Sequence, residues 1–192
     1  MTQLIQYASL RPTAWKNGGG STTEIAIAPP GASFENFDWR VSLATISASG
    51  PFSSFPGIDR TLALVDGDGV LLDFGNERFV LSDSDPLVEF AGEAAVEATI
   101  TGSSTTDFNV MTRRGLCRHR LERRVLRGSE ELARRSTTTL VFLAEGESVT
   151  LSSASERIAL VRYDAVLLED DAVWTLDTAL ATVFVVDIIT LN

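Results

Sequence analysis

Histidine, cysteine and lysine are almost absent: the 192-residue chain holds one of each, His119, Cys117 and Lys16. A single cysteine excludes an internal disulfide, and Cys117 reads as a small apolar filler in a reducing compartment. One histidine is too few for the usual zinc or iron centre, which draws on several His or Cys side chains. A serine triad or Cys–His pair would have to use His119, which shares a strand face with Cys117 two residues away. No apolar run approaches the ~20 residues of a membrane helix. Residues 1–7 have neither the basic start nor the apolar stretch of a secretion signal. There is no Walker phosphate loop, and Gly67-Asp68-Gly69 lacks the third glycine and following helix of a dinucleotide site. The expectation is a cytoplasmic protein with no metal and no cofactor.

What is present is ordinary globular composition, 44% hydrophobic and 22% charged, with a formal net charge of −10. That charge argues against nucleic acid or an anionic membrane as partner. Yet more than half of the cationic residues fall between Arg113 and Arg135. There Cys117, His119, Leu121 and Val125 take one parity and Arg118, Arg120, Glu122 and Arg124 the other, which describes a half-buried strand with a solvated face. No aromatic residues are interleaved for base stacking. Only Ser129–Arg135 invites a short helix, capped by Ser129.

Strand signals dominate the rest. Runs are expected at Thr23–Ala28, Trp39–Ile46, Thr61–Val65, Val70–Phe74, Arg78–Leu81, Ala94–Thr101 and Asp107–Thr112. Later ones fall at Thr138–Ala144, Ser148–Ser152, Ile158–Tyr163 and Thr182–Leu191. Short strands at intervals of roughly 8–12 residues predict an all-β sandwich or barrel with little helix. Asp66–Gly69 reads as a hairpin turn. Setting Gly67 on Gly146 brings Leu62, Leu64, Val70 and Leu72 onto Val141, Leu143, Val149 and Leu151, the pattern of a duplication.

Four clusters are unusual for a core. Trp15-Lys16-Asn17-Gly18-Gly19-Gly20 offers glycine N–H groups, a charge and an amide, the materials of an anion nest. Phe37-Asp38-Trp39-Arg40-Val41-Ser42 places an arginine inside an alternating strand, where it pairs a carboxylate or reaches into a cavity. Gly50–Arg60 is a stiff aromatic loop ending in Asp59-Arg60, of the kind that rims pockets. Asp107-Phe108-Asn109-Val110-Met111-Thr112-Arg113-Arg114 carries polar residues on both sides of a strand, so one face looks into a polar interior.

Taken in this order, the four clusters resemble the HutD/Ves family, with specific motifs from about Tyr7 to Gly115 and strand pattern beyond. The resemblance implies a bicupin: two tandem cupin-type β-barrels packed as one unit, residues 1–115 carrying the ligand pocket and 116–192 forming the second half. Metal-binding cupins place histidines and a glutamate on barrel strands, whereas Val70–Phe74 offers Leu71, Leu72 and Asp73, and the family looks metal-free. HutD members are encoded beside histidine-degradation enzymes and are proposed to bind a pathway intermediate in a regulatory role. Carried over motif by motif, the pocket candidates are Trp15, Lys16, Asn17, Gly18, Trp39, Arg40, Phe55, Arg60, Asp107, Asn109 and Arg113.

The function expected is therefore binding of a small carboxylate metabolite, of formylglutamate, formiminoglutamate or urocanate type. The carboxylate would be held by arginine and backbone N–H groups, and the apolar part by Trp or Phe. One alternative is a metal-independent isomerase or hydrolase using Asp107 or Glu24 as base. Another is an interaction module docking through the arginine-rich strand, with a second copy or a regulatory protein as partner.

Overall fold

Alternating apolar and polar runs, cut at glycine-rich turns, fold almost throughout as antiparallel strands; the computed structural model describes residues 1–191. In chain order the first strands are β1 (Thr2–Ile5), β2 (Thr13–Ala14), β3 (Gly20–Ala28), β4 (Trp39–Ile46), β5 (Gly50–Pro51) and β6 (Ile58–Asp66). Next come β7 (Val70–Asp73), β8 (Arg78–Leu81), β9 (Leu87–Ala91), β10 (Glu97–Ile100) and β11 (Thr105–Arg113). The rest are β12 (Cys117–Glu131), β13 (Thr138–Gly146), β14 (Ser148–Ser152), β15 (Arg157–Val161), β16 (Ala165–Glu169) and β17 (Thr175–Thr190). Among the described residues one short 3₁₀ turn, Tyr7–Ser9, is the sole helical element.

The chain divides into two compact units, residues 11–118 and residues 1–10 with 119–191. In the first, a six-stranded sheet (β2-β3-β4-β11-β6-β9) faces a four-stranded one (β5-β10-β7-β8). Leu62, Leu64, Val70, Leu72, Leu81, Val96 and Ala98 form its main apolar cluster, flanked by Phe52, Phe74, Phe79, Val88 and Phe90. In the second, a seven-stranded sheet runs β1-β16-β13-β17-β14-β15, with β12 also on β17. Its main apolar cluster is built from Leu126, Val141, Leu143, Val149, Leu151, Val166, Trp174, Val183, Val185 and their neighbours.

Several expectations are corrected. Asp66–Gly69 is not a hairpin: β6 pairs β9 and β11, while β7 pairs β8 and β10 in the other sheet. The turn is a corner that carries the chain from one sheet to the other. Its glycines answer to close approach as well as to φ values of +98° and +92°, since a Cβ would lie 2.5 Å from Ser104 O at Gly67 and 2.3 Å from Leu81 O at Gly69. Gly146, at φ +112°, sits at the equivalent corner between β13 and β14, which do not pair with each other, and a Cβ there would lie 2.8 Å from Leu180 O. The repeat is thus a repeated corner.

Ser129–Arg135 forms no helix. β12 runs on to Glu131 and the Leu132 N–H then donates to Trp174 O at 2.8 Å, so tertiary pairing outweighs the local cap signal. The parity of β12 also changes along its length. Cys117 and Leu121 are buried, but then Leu126 is buried and Val125 is 57% exposed. β3 does not alternate cleanly either, because a bulge between Glu24 and Ala26 lets Glu24 and Ile27 share a face.

Candidate functional site

In an antiparallel ladder directly opposed residues point to the same side, so the register of the six-stranded sheet fixes which side chains meet inside the first unit. Met111 of β11 opposes Arg40 of β4 and Arg60 of β6; Asn109 opposes Ser42 and Leu62; Asp107 opposes Ala44 and Leu64. On the outer strands, Phe90 of β9 opposes Arg60, and Ile27 of β3 opposes Arg40. One interior face therefore carries two guanidiniums, an amide and a carboxyl, with Arg40 4%, Arg60 6%, Asn109 6% and Asp107 0% exposed.

The two arginines differ. Arg40 Nε donates to Glu24 Oε2 at 2.9 Å and Nη1 to Ser42 Oγ at 3.3 Å, and its guanidinium lies 4.6 Å from the centre of the Phe34 ring. Glu24 and Phe34 are both largely exposed, so this end of the face borders solvent. Arg60 has no ion-pair partner among the described residues. Its guanidinium is enclosed by Phe90, Phe52 and Phe55 at 5.0, 5.4 and 5.5 Å from the ring centres. Nη1 makes one long hydrogen bond of 3.3 Å to Ser53 O, and Nε has no partner. Burial, with Arg40 nearby, lowers the Arg60 pKa to about 10, so the group stays charged at neutral pH without a counter-charge. Aromatic faces occupy the cation's flanks and leave its N–H edge for an acceptor, the geometry in which arginine binds carboxylates.

Asp107 and Asn109 are orphans of the opposite kind. Both carboxyl oxygens of Asp107 and Oδ1 of Asn109 are buried without a hydrogen-bond partner. Burial among apolar neighbours raises the Asp107 pKa to about 7. Asp107 lies four positions before Met111, which places it roughly 13 Å along the strand from the arginine level.

The remaining predicted residues are not brought to this face's arginine end. Trp15–Gly20 is the turn between β2 and β3: Trp15 N–H donates to Gly20 O at 2.9 Å and Gly18 N–H to Trp15 O at 3.0 Å. Gly19 N–H donates to Asn17 Oδ1 at 3.0 Å, and Trp15 Nε1 to Thr22 Oγ1 at 2.8 Å. The Gly18 and Gly19 amides, two of those expected to form an anion nest, are thus engaged within the turn, and Lys16, Asn17 and Gly18 are exposed. Gly20 opposes Ile46, six residues along β4 from Arg40, or roughly 20 Å. Trp39, although buried, alternates onto the other face from Arg40. Arg113 is engaged structurally, donating from Nε to Phe37 O at 2.8 Å and from Nη2 to Glu35 O at 3.0 Å. Among the described residues no group of three or more His, Cys, Asp and Glu is placed to hold a metal ion, and no helix is long and apolar enough to cross a membrane.

Sequence reading missed Phe34, Phe52 and Phe90 as partners of the arginines. The signal for Phe90 was present: Val88 and Phe90 alternate around Glu89 just after the Ser82–Pro86 turn.

Comparison with known proteins identifies the family and the fold. The chain is 33% identical over 168 residues to an uncharacterized 21.2 kDa protein in the hutC 3′ region of Pseudomonas putida, covering 87% of this chain and 86% of that protein. It is 39% identical over 119 residues to Protein Ves of Citrobacter koseri. That match covers 59% of this chain and 61% of the relative, so it spans about three fifths of the Ves length. HutD from Pseudomonas fluorescens SBW25, solved in a formate condition, superposes with a TM-score of 0.84 at 25% identity over the whole of both chains. A cupin 2 conserved barrel domain protein from Leptotrichia buccalis superposes at 0.63 with 9% identity, over 98% of this chain and 96% of that one, which identifies the fold as cupin. The HutD family profile matches residues 7–184, and the chain belongs to the HutD family.

Proposed function

We propose that the chain binds a small carboxylate metabolite of histidine degradation in the first barrel, without metal, in a regulatory role. One observation carries this reading: the buried Arg60 guanidinium, ringed by three phenylalanines, has an unpartnered Nε and no carboxylate to neutralise it. A buried charge without a partner is strongly unfavourable, and an incoming carboxylate supplies the missing charge and acceptors together. Arg40, bordering solvent beside Glu24 and Phe34, adds a second cation on the same face. Family membership and the hutC-region relative support a ligand of formylglutamate, formiminoglutamate or urocanate type.

Thermal shift with these three compounds and with formate tests the reading. At a hundredfold excess over Kd, binding adds about 2.7 kcal/mol of stability. The expected result is a rise in melting temperature for at least one compound that is lost in Arg60→Gln. No shift at millimolar concentration contradicts the reading.

A metal-independent isomerase or hydrolase is favoured by one observation, the unpartnered Asp107 carboxyl with its pKa near 7, suited to a general base. Turnover of a bound compound that disappears in Asp107→Asn with the fold intact would favour this reading over binding alone.

A further inference from the structure

We infer that Asp107 and Asn109 form a second subsite, which recognises a nitrogen bearing N–H groups, so that the ligand is an amino- or amidino-carboxylate rather than a plain carboxylate. The inference rests on the carboxylate site at Arg60 and specifies what the rest of the ligand must carry.

The three orphaned atoms, Asp107 Oδ1, Asp107 Oδ2 and Asn109 Oδ1, are all acceptors. They lie on alternate residues of β11 and therefore on one interior face, the face that carries Arg40 and Arg60. Among the described residues none supplies donors to them. The ladder neighbours of Asp107 are Ala44 and Leu64, and Leu64 packs with Val70, Leu72 and Ala98. Of the charged residues on the same face, Arg40 and Arg60 stand in the row of Met111, while Glu24 stands in the row of Asn109 and is taken up by Arg40, and no ion pair joins either arginine to Asp107. Burying acceptors unpaired is costly, and native proteins seldom leave them so without a use.

The second unit shows that the architecture does not demand polar residues here. In the first unit Asn109 and Asp107 oppose Leu62 and Leu64. In the second, the counterparts Val141 and Leu143 are opposed by Val185 and Val183, which belong to the apolar core. The same ladder closes on valine in one barrel and on unpaired acceptors in the other. An acceptor set facing a cationic set along one face is complementary to a ligand with an anion at one end and an N–H donor at the other. An ammonium or amidinium group satisfies the oxygens of Asp107 and Asn109 and stabilises the ionised carboxylate.

The test compares matched probes by NMR titration of the full chain: butyrate against 4-aminobutyrate, and pentanoate against 5-aminopentanoate, with formate as the carboxylate alone. At least one amino probe is expected to bind about tenfold or more tightly than its partner. In Asp107→Val and Asn109→Val, which copy the second unit, that ratio is expected to fall to near one while formate still binds through Arg60. Asp107→Asn, a near-isosteric change, gives the same reading if the valine variants fold poorly. Equal binding of amino and plain probes, abolished by Arg60→Gln, overturns the second subsite and leaves the carboxylate site standing. A preference that survives in the Asp107 and Asn109 variants also overturns the assignment. If neither formate nor any probe binds, the carboxylate reading itself fails and this one with it.

Discussion

The two barrels solve the same packing problem in opposite ways. With Gly67 set on Gly146, position 60 of the first unit corresponds to position 139 of the second. Thr139 is fully buried and its hydroxyl donates to Asp187 Oδ1 at 2.7 Å, so both groups are satisfied within the fold. At the corresponding place Arg60 is buried beside Met111 with an unpartnered Nε. Further along, Val183 and Val185 stand where the first unit has Asp107 and Asn109. On this face the second unit pairs its buried polar groups with each other and is otherwise apolar; the first retains Asp107 and Asn109 oxygens and Arg60 Nε without partners. The second ladder closes on valine at the positions where the first carries Asp107 and Asn109, so the register itself does not require polar residues there.

The largest effect should come from carrying the first interior into the second. Val183→Asp buries a carboxyl among Val141, Leu143 and Val185 with no donor prepared for it, and should cost about 3–5 kcal/mol. Chemical denaturation of this variant beside Asp107→Val checks the asymmetry, because the reverse exchange in the first unit should be neutral or stabilising at pH 8. A comparable loss in both variants would mean that Asp107 has a structural partner after all.

A second effect is pH-dependent. The folded pKa of Asp107, raised to about 7 by burial, lies above its ordinary value of 3.8. The folded state therefore holds a proton that the unfolded state has released between these two pH values. Stability is highest below the unfolded pKa and falls as pH rises toward and through 7, by an amount on the order of 4 kcal/mol. In Asp107→Asn this decline should flatten, as melting between pH 5 and 9 in the absence of ligand would show. An unchanged pH profile breaks the contrast between the orphaned carboxyl and the satisfied Thr139–Asp187 pair.

These contrasts also mark what the sequence could reveal. β4, β8 and β14 were legible to the residue, β8 and β14 because their burial alternates and β4 because Trp39, Val41 and Leu43 alternate with Arg40, Ser42 and Ala44 even though both faces are buried. β16 was not, since Ala165–Leu168 is buried on both faces and carries no period. β1 and β9 were missed as short pieces whose pairing partners lie far away in sequence, at β16 and β6. For the site, Arg40, Phe55, Arg60, Asp107 and Asn109 were legible as polar or aromatic residues out of place in strands and loops. Their separation from Trp15–Gly18 was not, because only register reveals that Gly20 meets Ile46 and not Arg40. The smallest predicted effect follows from that separation. Lys16→Ala, at an exposed turn, should change stability by less than about 0.5 kcal/mol and leave carboxylate affinity within about twofold, measured by titration with formate.

The most direct measurement is a crystal structure with formiminoglutamate bound. The expected result is its carboxylate within hydrogen-bond distance of Arg60 Nε, between the rings of Phe52, Phe55 and Phe90, with the second barrel empty of ligand. Ligand density elsewhere, with Arg60 Nε still unpartnered, would contradict the claim that the first barrel's polar interior exists to hold a carboxylate.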